Sequence, residues 1–186
     1  KGETILVHAA AGGVGTILCQ WAKHLGATVI GAVGSAGKVK LARAHGCDHV
    51  IDTSRQDVAR RVRTITRSAG VPVVYDAVGK DTFAGSLDCL APFGMMVSFG
   101  QASGKIADVD IGILGQKGSL FLTRPTLMTY TAKREDLVDS ANALFDMVSS
   151  GKVKIEIEQR YALSDAAQAH RDMESRATTG MSILIP

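Results

Sequence analysis

The chain has 186 residues, 46% of them hydrophobic, enough to bury one good core with room for an appended element. Its formal net charge of +3 is too small to argue for a nucleic-acid or membrane partner. No long apolar span, signal peptide or lipidation motif is visible, so a soluble, cytoplasmic protein is expected. Three cysteines, Cys19, Cys47 and Cys89, are odd in number and far apart, which suits packed thiols in a reducing compartment rather than a disulfide framework. The chain starts at Lys1 and enters its first strand almost at once, as a piece of a longer protein would.

The run Ile5-Leu6-Val7-His8-Ala9-Ala10-Ala11-Gly12-Gly13-Val14-Gly15 reads as a buried strand that breaks into a small-residue turn and opens a helix. Such a junction brings backbone N–H groups and the positive end of a helix dipole up to a pyrophosphate, so it predicts a dinucleotide site. The spacing departs from the strict glycine pattern. Ala10 stands where the first glycine is usual, and Gly12 and Gly15 fill the other two places. Val14, Ile17, Leu18, Trp21, Ala22 and Leu25 recur at helical spacing and predict one apolar stripe packed on a sheet, stopped at Gly26. Residues 27–33 then read as a strand buried on both faces.

Which dinucleotide is decided just beyond that strand. An NAD site places an acid there to accept from the ribose hydroxyls, whereas this chain has Gly34-Ser35-Ala36-Gly37-Lys38. Ser35 can donate to a 2′-phosphate and Lys38 can pair with it, which favours NADP. The plainer alternative is that Ser35 caps the next helix and Lys38 is a solvated charge. A lysine in a first turn opposes the helix dipole, which leans toward a ligand-based reason.

The alternation continues. Residues 38–45 read as a helix ending at Gly46, 49–51 as a short strand, and Val58, Val62 and Ile65 as a helix face. Residues 71–75 read as a strand with Asp76 at its end, 82–90 as a helix, 95–99 as a strand, and 118–123 as one more. The fold class implied is α/β with a doubly wound parallel sheet of the Rossmann type. Ligands of such sheets sit outside the carboxyl ends of the strands, which highlights residues 10–14, 34–38, 53, 77–79 and 99–102. From residue 131 the rhythm changes. A helix over 136–148 stops at Gly151, 153–157 and 160–163 look extended, Ser164 caps a helix running to about Arg176, and 182–185 close as a strand. Residues 1–130 are therefore assigned to a dinucleotide-binding domain and 131–186 to part of a second one.

Other chemistry is poorly supported. His45-Gly46-Cys47-Asp48-His49 invites a metal, but it straddles a helix stop and a strand start and has no second ligand pair nearby. No Tyr-x-x-x-Lys pair, P-loop or G-x-S-x-G elbow exists. Arg124, leaving the last sheet strand in Thr123-Arg124-Pro125, and Arg176, beyond the tail helix, could each approach a bound cofactor or simply lie on the surface. No catalytic side chain and no metal site is assigned.

Together these residues resemble the zinc-independent quinone oxidoreductases of the medium-chain dehydrogenase/reductase superfamily, the zeta-crystallin-like group. The shared text includes the His8 to Gly15 turn, Val74-Tyr75-Asp76, Ser86-Leu87-Asp88-Cys89-Leu90, Gly118-Ser119-Leu120-Phe121-Leu122-Thr123-Arg124-Pro125 and Glu174-Ser175-Arg176-Ala177. The resemblance implies NADP as cofactor and a quinone as substrate. It places Ala11, Gly12, Gly13 and Val14 on the pyrophosphate turn, Gly34, Ser35 and Lys38 on the 2′-phosphate, and Thr53 near the adenosine, with Val78 also a cofactor-binding residue. Phe99, Gly100 and Gln101 would lie beside the nicotinamide ribose, Arg124 and Pro125 near the ring, and Arg176 over the phosphates. Where members often carry Asn-Tyr, this chain has Asp52-Thr53, so a tyrosine contact is lost or replaced by Thr53. The resemblance also implies a homodimer through the edge strand between Ser119 and Thr123. A GroES-like catalytic domain would precede this chain, with the C-terminal segment as its truncated return. Two other functions fit less well: reduction of enones or enoyl thioesters by the same hydride logic, and a non-catalytic nucleotide- or RNA-binding module, which lacks the usual basic stripe with interleaved aromatics.

Overall fold

The structure, a computed structural model, describes residues 1–175 and 178–186. Strands β1 (Thr4–His8), β2 (Thr28–Val33), β3 (His49–Asp52), β4 (Val71–Asp76), β5 (Leu90–Ser98) and β6 (Phe121–Thr123) form one parallel sheet in the order β3-β2-β1-β4-β5-β6. This is the doubly wound order, with the direction of travel reversing between β1 and β4. Successive side chains leave a strand on opposite faces. Ile5, Val7, Val29 and Val33 meet Cys19 and Ala22 of α1 (Gly13–His24) and Ala42 of α2 (Val39–Ala44). Leu6, Ile30, Val74 and Met96 meet Val62 of α3 (Val58–Ile65), Leu87 of α4 (Phe83–Cys89) and Ile113 of α5 (Gly112–Gln116). Helices cover both faces, which is why the strands read as continuous apolar runs.

Strand β5 and helix α1 differ in detail from the sequence reading. Strand β5 begins at Leu90 rather than Met95: Leu90 pairs with Val71 and Met95 with Val73, so residues 91–94 bulge out, with Phe93 at φ +61°. Pro92 cannot donate to the ladder, so the bulge falls where pairing is already impossible. The buried face of α1 also matches the predicted stripe only in part: Ala22 is buried and Leu18 packs against the core, but the ends of the stripe are not. Gly15, Thr16, Cys19 and Ala22 are buried, whereas Val14 and Leu25 are 62% and 63% exposed. Small residues win that face because the helix starts hard against the sheet. A Cβ on Gly15 would lie 2.2 Å from the Ala9 carbonyl oxygen.

The C-terminal part comprises α6 (Leu127–Tyr130), α7 (Arg134–Ser149), β7 (Ile157–Ala162), α8 (Ala166–Glu174) and β8 (Met181–Ile185). Strands β7 and β8 form a separate two-stranded parallel sheet. Ser164 lies inside a short 3₁₀ turn (Leu163–Asp165) and does not cap α8, whose N-cap is Asp165. This part is docked on α1 and the turn before it. The Gln20 side chain donates to the Lys154 carbonyl (3.0 Å) and accepts from its N–H (2.9 Å), and the Gly180 N–H donates to the Ala11 carbonyl (2.9 Å). No described helix is long and apolar enough to cross a membrane.

Replacing Gly15 by alanine should lower the unfolding free energy by about 3 kcal/mol, since the new methyl meets backbone rather than a movable side-chain end. The urea midpoint measures it, and an unchanged midpoint would refute the close approach.

Candidate functional site

A cleft of about 860 Å³ opens at the carboxyl ends of β1 to β4, at the switch point between β1 and β4. Of the residues singled out from sequence, it gathers Ala11, Gly12, Gly34, Ser35, Lys38, Thr53 and Val78. It also takes in several that sequence reasoning passed over, among them His8, Asp57, Thr82 and Thr178. Gly13, Val14, Phe99, Gly100, Gln101, Arg124 and Pro125 do not line it. Arg176 lies outside the described residues.

The turn into α1 is left-handed at Ala9 (φ +52°), while Ala10 keeps an ordinary backbone conformation and is fully buried. Alanine therefore serves in place of the usual first glycine. Gly12 is the N-cap of α1, and no side chain caps the helix and no acid stands in its first turn. A helix start without a side-chain cap or a nearby acid suits an anion. Gly13 has a second reason to be glycine: a Cβ there would sit 3.0 Å from the Met181 sulfur and 3.3 Å from the Gly180 carbonyl oxygen. Gly100 is glycine because a Cβ would come within 2.4 Å of the Ala77 carbonyl oxygen.

At the end of β2 no carboxylate appears, and a Cβ on Gly34 would meet nothing within 4 Å. Ser35 is exposed and stands at the N-cap of a short 3₁₀ turn (Ala36–Lys38), but its side chain makes no capping bond. Lys38 is half-buried, and its ammonium donates to the Thr178 carbonyl (3.0 Å), which ties it to the tail across the cleft mouth. Arg124 donates to the Ser98 carbonyl (2.7 Å) at the end of β5, beside Phe99 and Gly100.

A polar chain lies beneath the cleft. Asp76, fully buried at the end of β4, accepts from the N–H groups of Val78 (2.8 Å) and Gly79 (3.1 Å) and from the hydroxyls of Thr82 (2.9 Å) and Ser86 (2.7 Å). The Ser86 Oγ is also 3.0 Å from Nε2 of His8, the last residue of β1. Burial holds the His8 imidazole below its ordinary pKa of 6.5, and the nearby Asp76 charge offsets this only in part. Nothing in the spacing of positions 8, 76 and 86 foretells their meeting.

Thiol and metal chemistry find little support. All three cysteines are buried, and burial pushes the Cys89 thiol up to about 12. A hydrogen bond with Cys47, together with burial, raises Cys19 as well. In the 45–49 cluster, His45 Nδ1 is satisfied by the Leu41 carbonyl (2.9 Å) and Asp48 by Lys23 and the Val29 N–H. Burial works against ionisation of Asp48, yet these two partners hold its carboxyl below the usual range.

The model of the zinc-binding dehydrogenase family matches residues 13–151. The chain belongs to that family. This zinc-binding dehydrogenase homologue is 55% identical over 185 residues to a quinone oxidoreductase of Pseudomonas aeruginosa, with 100% of the chain and 57% of the relative covered. It is 46% identical over 186 residues to a 2-haloacrylate reductase of a Burkholderia species, covering 100% of the chain and 56% of the relative. The crystal structure of Escherichia coli quinone oxidoreductase complexed with NADPH superposes with a TM-score of 0.96 at 51% identity, over 99% of this chain and 57% of that one. The chain thus spans little more than half the length of these relatives. Among the described residues of this family member, no group of three or more His, Cys, Asp or Glu could hold a metal ion, so they do not fit a bound zinc.

His8 predicts a pH signature. Its folded pKa lies below the unfolded value of 6.5, so the unfolded chain takes up the proton first as pH falls. The contribution is fully present above that value and is lost as pH drops through it toward the depressed folded value. Urea unfolding at about pH 7.5 and about pH 5 should show this loss, and His8→Gln should remove the His8 part of it. Equal pH slopes in the two proteins would contradict the buried neutral ring.

Proposed function

We propose that this chain is the cofactor-binding part of an enzyme that transfers hydride from NADPH to a quinone. The observation that carries this reading is the pairing, in one cleft, of an uncapped helix start with a β2 end that offers Gly34, Ser35 and Lys38 and no carboxylate. Reduced nicotinamide supplies the hydride, and the chain's residues bind and orient it. The N–H groups around Ala11, Gly12, Gly13 and Val14 face the pyrophosphate, backed by the α1 dipole. Ser35 and Lys38 take the 2′-phosphate, with Gly34 leaving room for it, and Thr53 and Val78 flank the adenosine. Phe99, Gly100 and Gln101 lie on the nicotinamide ribose side, with Arg124 and Pro125 nearer the ring and Arg176 reaching over the phosphates. No side chain here needs to act as acid or base, because positioning of the ring and exclusion of water suffice for hydride transfer.

Residues 131–186 belong with the substrate-binding domain of the parent, and the quinone lies between that domain and this one. Exposed Leu127 and Met128 form part of the surface left for the rest of the parent. Strand β6 is the sheet's edge, with Phe121 56% and Leu122 38% exposed, and it pairs with its copy in a homodimer. Identity with a 2-haloacrylate reductase supports a second reading, reduction of an activated alkene by the same hydride.

The test is NADPH titration of the full-length parent, followed by turnover with quinones and with enones side by side. Lys38→Glu should weaken NADPH binding by at least about tenfold and leave NADH nearly unchanged. Equal loss of both coenzymes would refute the 2′-phosphate role. Phe121→Lys should shift the parent from dimer to monomer in sedimentation velocity, and a persistent dimer would place the interface elsewhere.

A further inference from the structure

The backbone ladder between β1 and β4 ends at Val7 and Tyr75, one residue short of His8 and Asp76. Beyond that point the two chains part around the switch point, one turning into α1 and the other toward α4, which lie on opposite faces of the sheet. The next link between them is made by side chains. His8 meets Ser86 of α4, and Ser86 meets Asp76.

Proton counting gives this link a direction. Asp76 makes no ion pair with lysine or arginine among the described residues, and as a carboxylate it only accepts. Its four donors are two backbone N–H groups and the hydroxyls of Thr82 and Ser86. The single Ser86 proton is therefore spent on Asp76, and the hydroxyl offers His8 a lone pair. Nε2 of His8 must carry the ring proton and donate, which leaves Nδ1 unprotonated. Asp76 meanwhile fixes the turn that holds Val78 in the cleft wall. The same turn abuts the β5 exit, since a Cβ on Gly79 would lie 2.9 Å from the Gln101 Cα.

We propose that His8 is a positioning residue for the dinucleotide. Through its Nε2–H bond to Ser86 it fastens the start of the phosphate-facing turn to the Val78 turn and so sets the width of the crevice. This rests on the cofactor reading above. His8 touches the cleft, but its effect on the coenzyme passes through the two turns it joins.

The experiment uses the full-length parent. His8→Leu and Ser86→Ala should each raise the KM for NADPH about tenfold with kcat nearly unchanged. His8→Gln, whose amide can still donate to Ser86, should stay within about threefold of the parent. Circular dichroism establishes that each variant is folded, and if His8→Leu is not, Ser86→Ala and His8→Gln decide. Imidazole ¹⁵N shifts of His8, recorded without coenzyme, should show the Nε2–H tautomer. Folded Leu and Ala variants with the parent's KM, or an Nδ1–H tautomer, would overturn the positioning role alone. A parent that binds no NADPH would overturn the cofactor reading and this role together.

Discussion

Helix α1 begins closer to the sheet than any side chain would allow, and the functional end of the molecule follows from that closeness. At Gly15 the hydrogen faces the Ala9 carbonyl, and at Gly31 of β2 a Cβ would meet the Cys47 sulfur at 2.5 Å and the Ala10 methyl at 2.9 Å. Ala9 takes the left-handed conformation that turns the chain within so short a distance. The helix that starts there has no side-chain cap, and its N-cap residue Gly12 lines the crevice. Close packing and anion affinity are two results of the same constraint.

The crevice has an asymmetric floor and rim. At the rim are backbone donors, the Ser35 hydroxyl and the Lys38 ammonium, all suited to a polyanion. Asp57, Asp81 and Asp88 also line the crevice, and beneath the lining is a buried carboxylate, Asp76, whose charge would add to theirs if it were bare. Asp76 is instead wrapped by two N–H groups and two hydroxyls, so its charge is spent inward on holding the β4 turn. A neutral His8 completes the arrangement. A cation there would lie buried on the far side of Ser86, at a desolvation cost the ring avoids by staying neutral.

The C-terminal segment also shapes the turn. Gly12 and Gly180 form a parallel bridge, and Met181 packs where a Gly13 side chain would be. Gly13, which looks reserved for a phosphate, is thus crowded on its other side by the protein's own tail. A substitution at Gly13 therefore tests packing as much as ligand approach.

Much of this was legible in order along the chain. The alternation of apolar runs and helical faces, the stops at Gly26, Gly46 and Gly151, the glycine turn at its expected strand end, and the missing acid after β2 are all local patterns, and local patterns survive in sequence. The face that α1 buries could not be read this way. Hydrophobicity favours Val14 and Leu25, but close packing buries Gly15, Thr16 and Cys19 instead. The meeting of His8 with Ser86 and Asp76, the hold of Lys38 on Thr178, and the docking of Gly180 on Ala11 join residues far apart in the chain. Their partners are set by how the elements stack, which no spacing encodes. Sequence determined the alternating strands and helices around the first turn and what kind of ligand that turn suits, and tertiary packing alone decided which polar groups share the crevice.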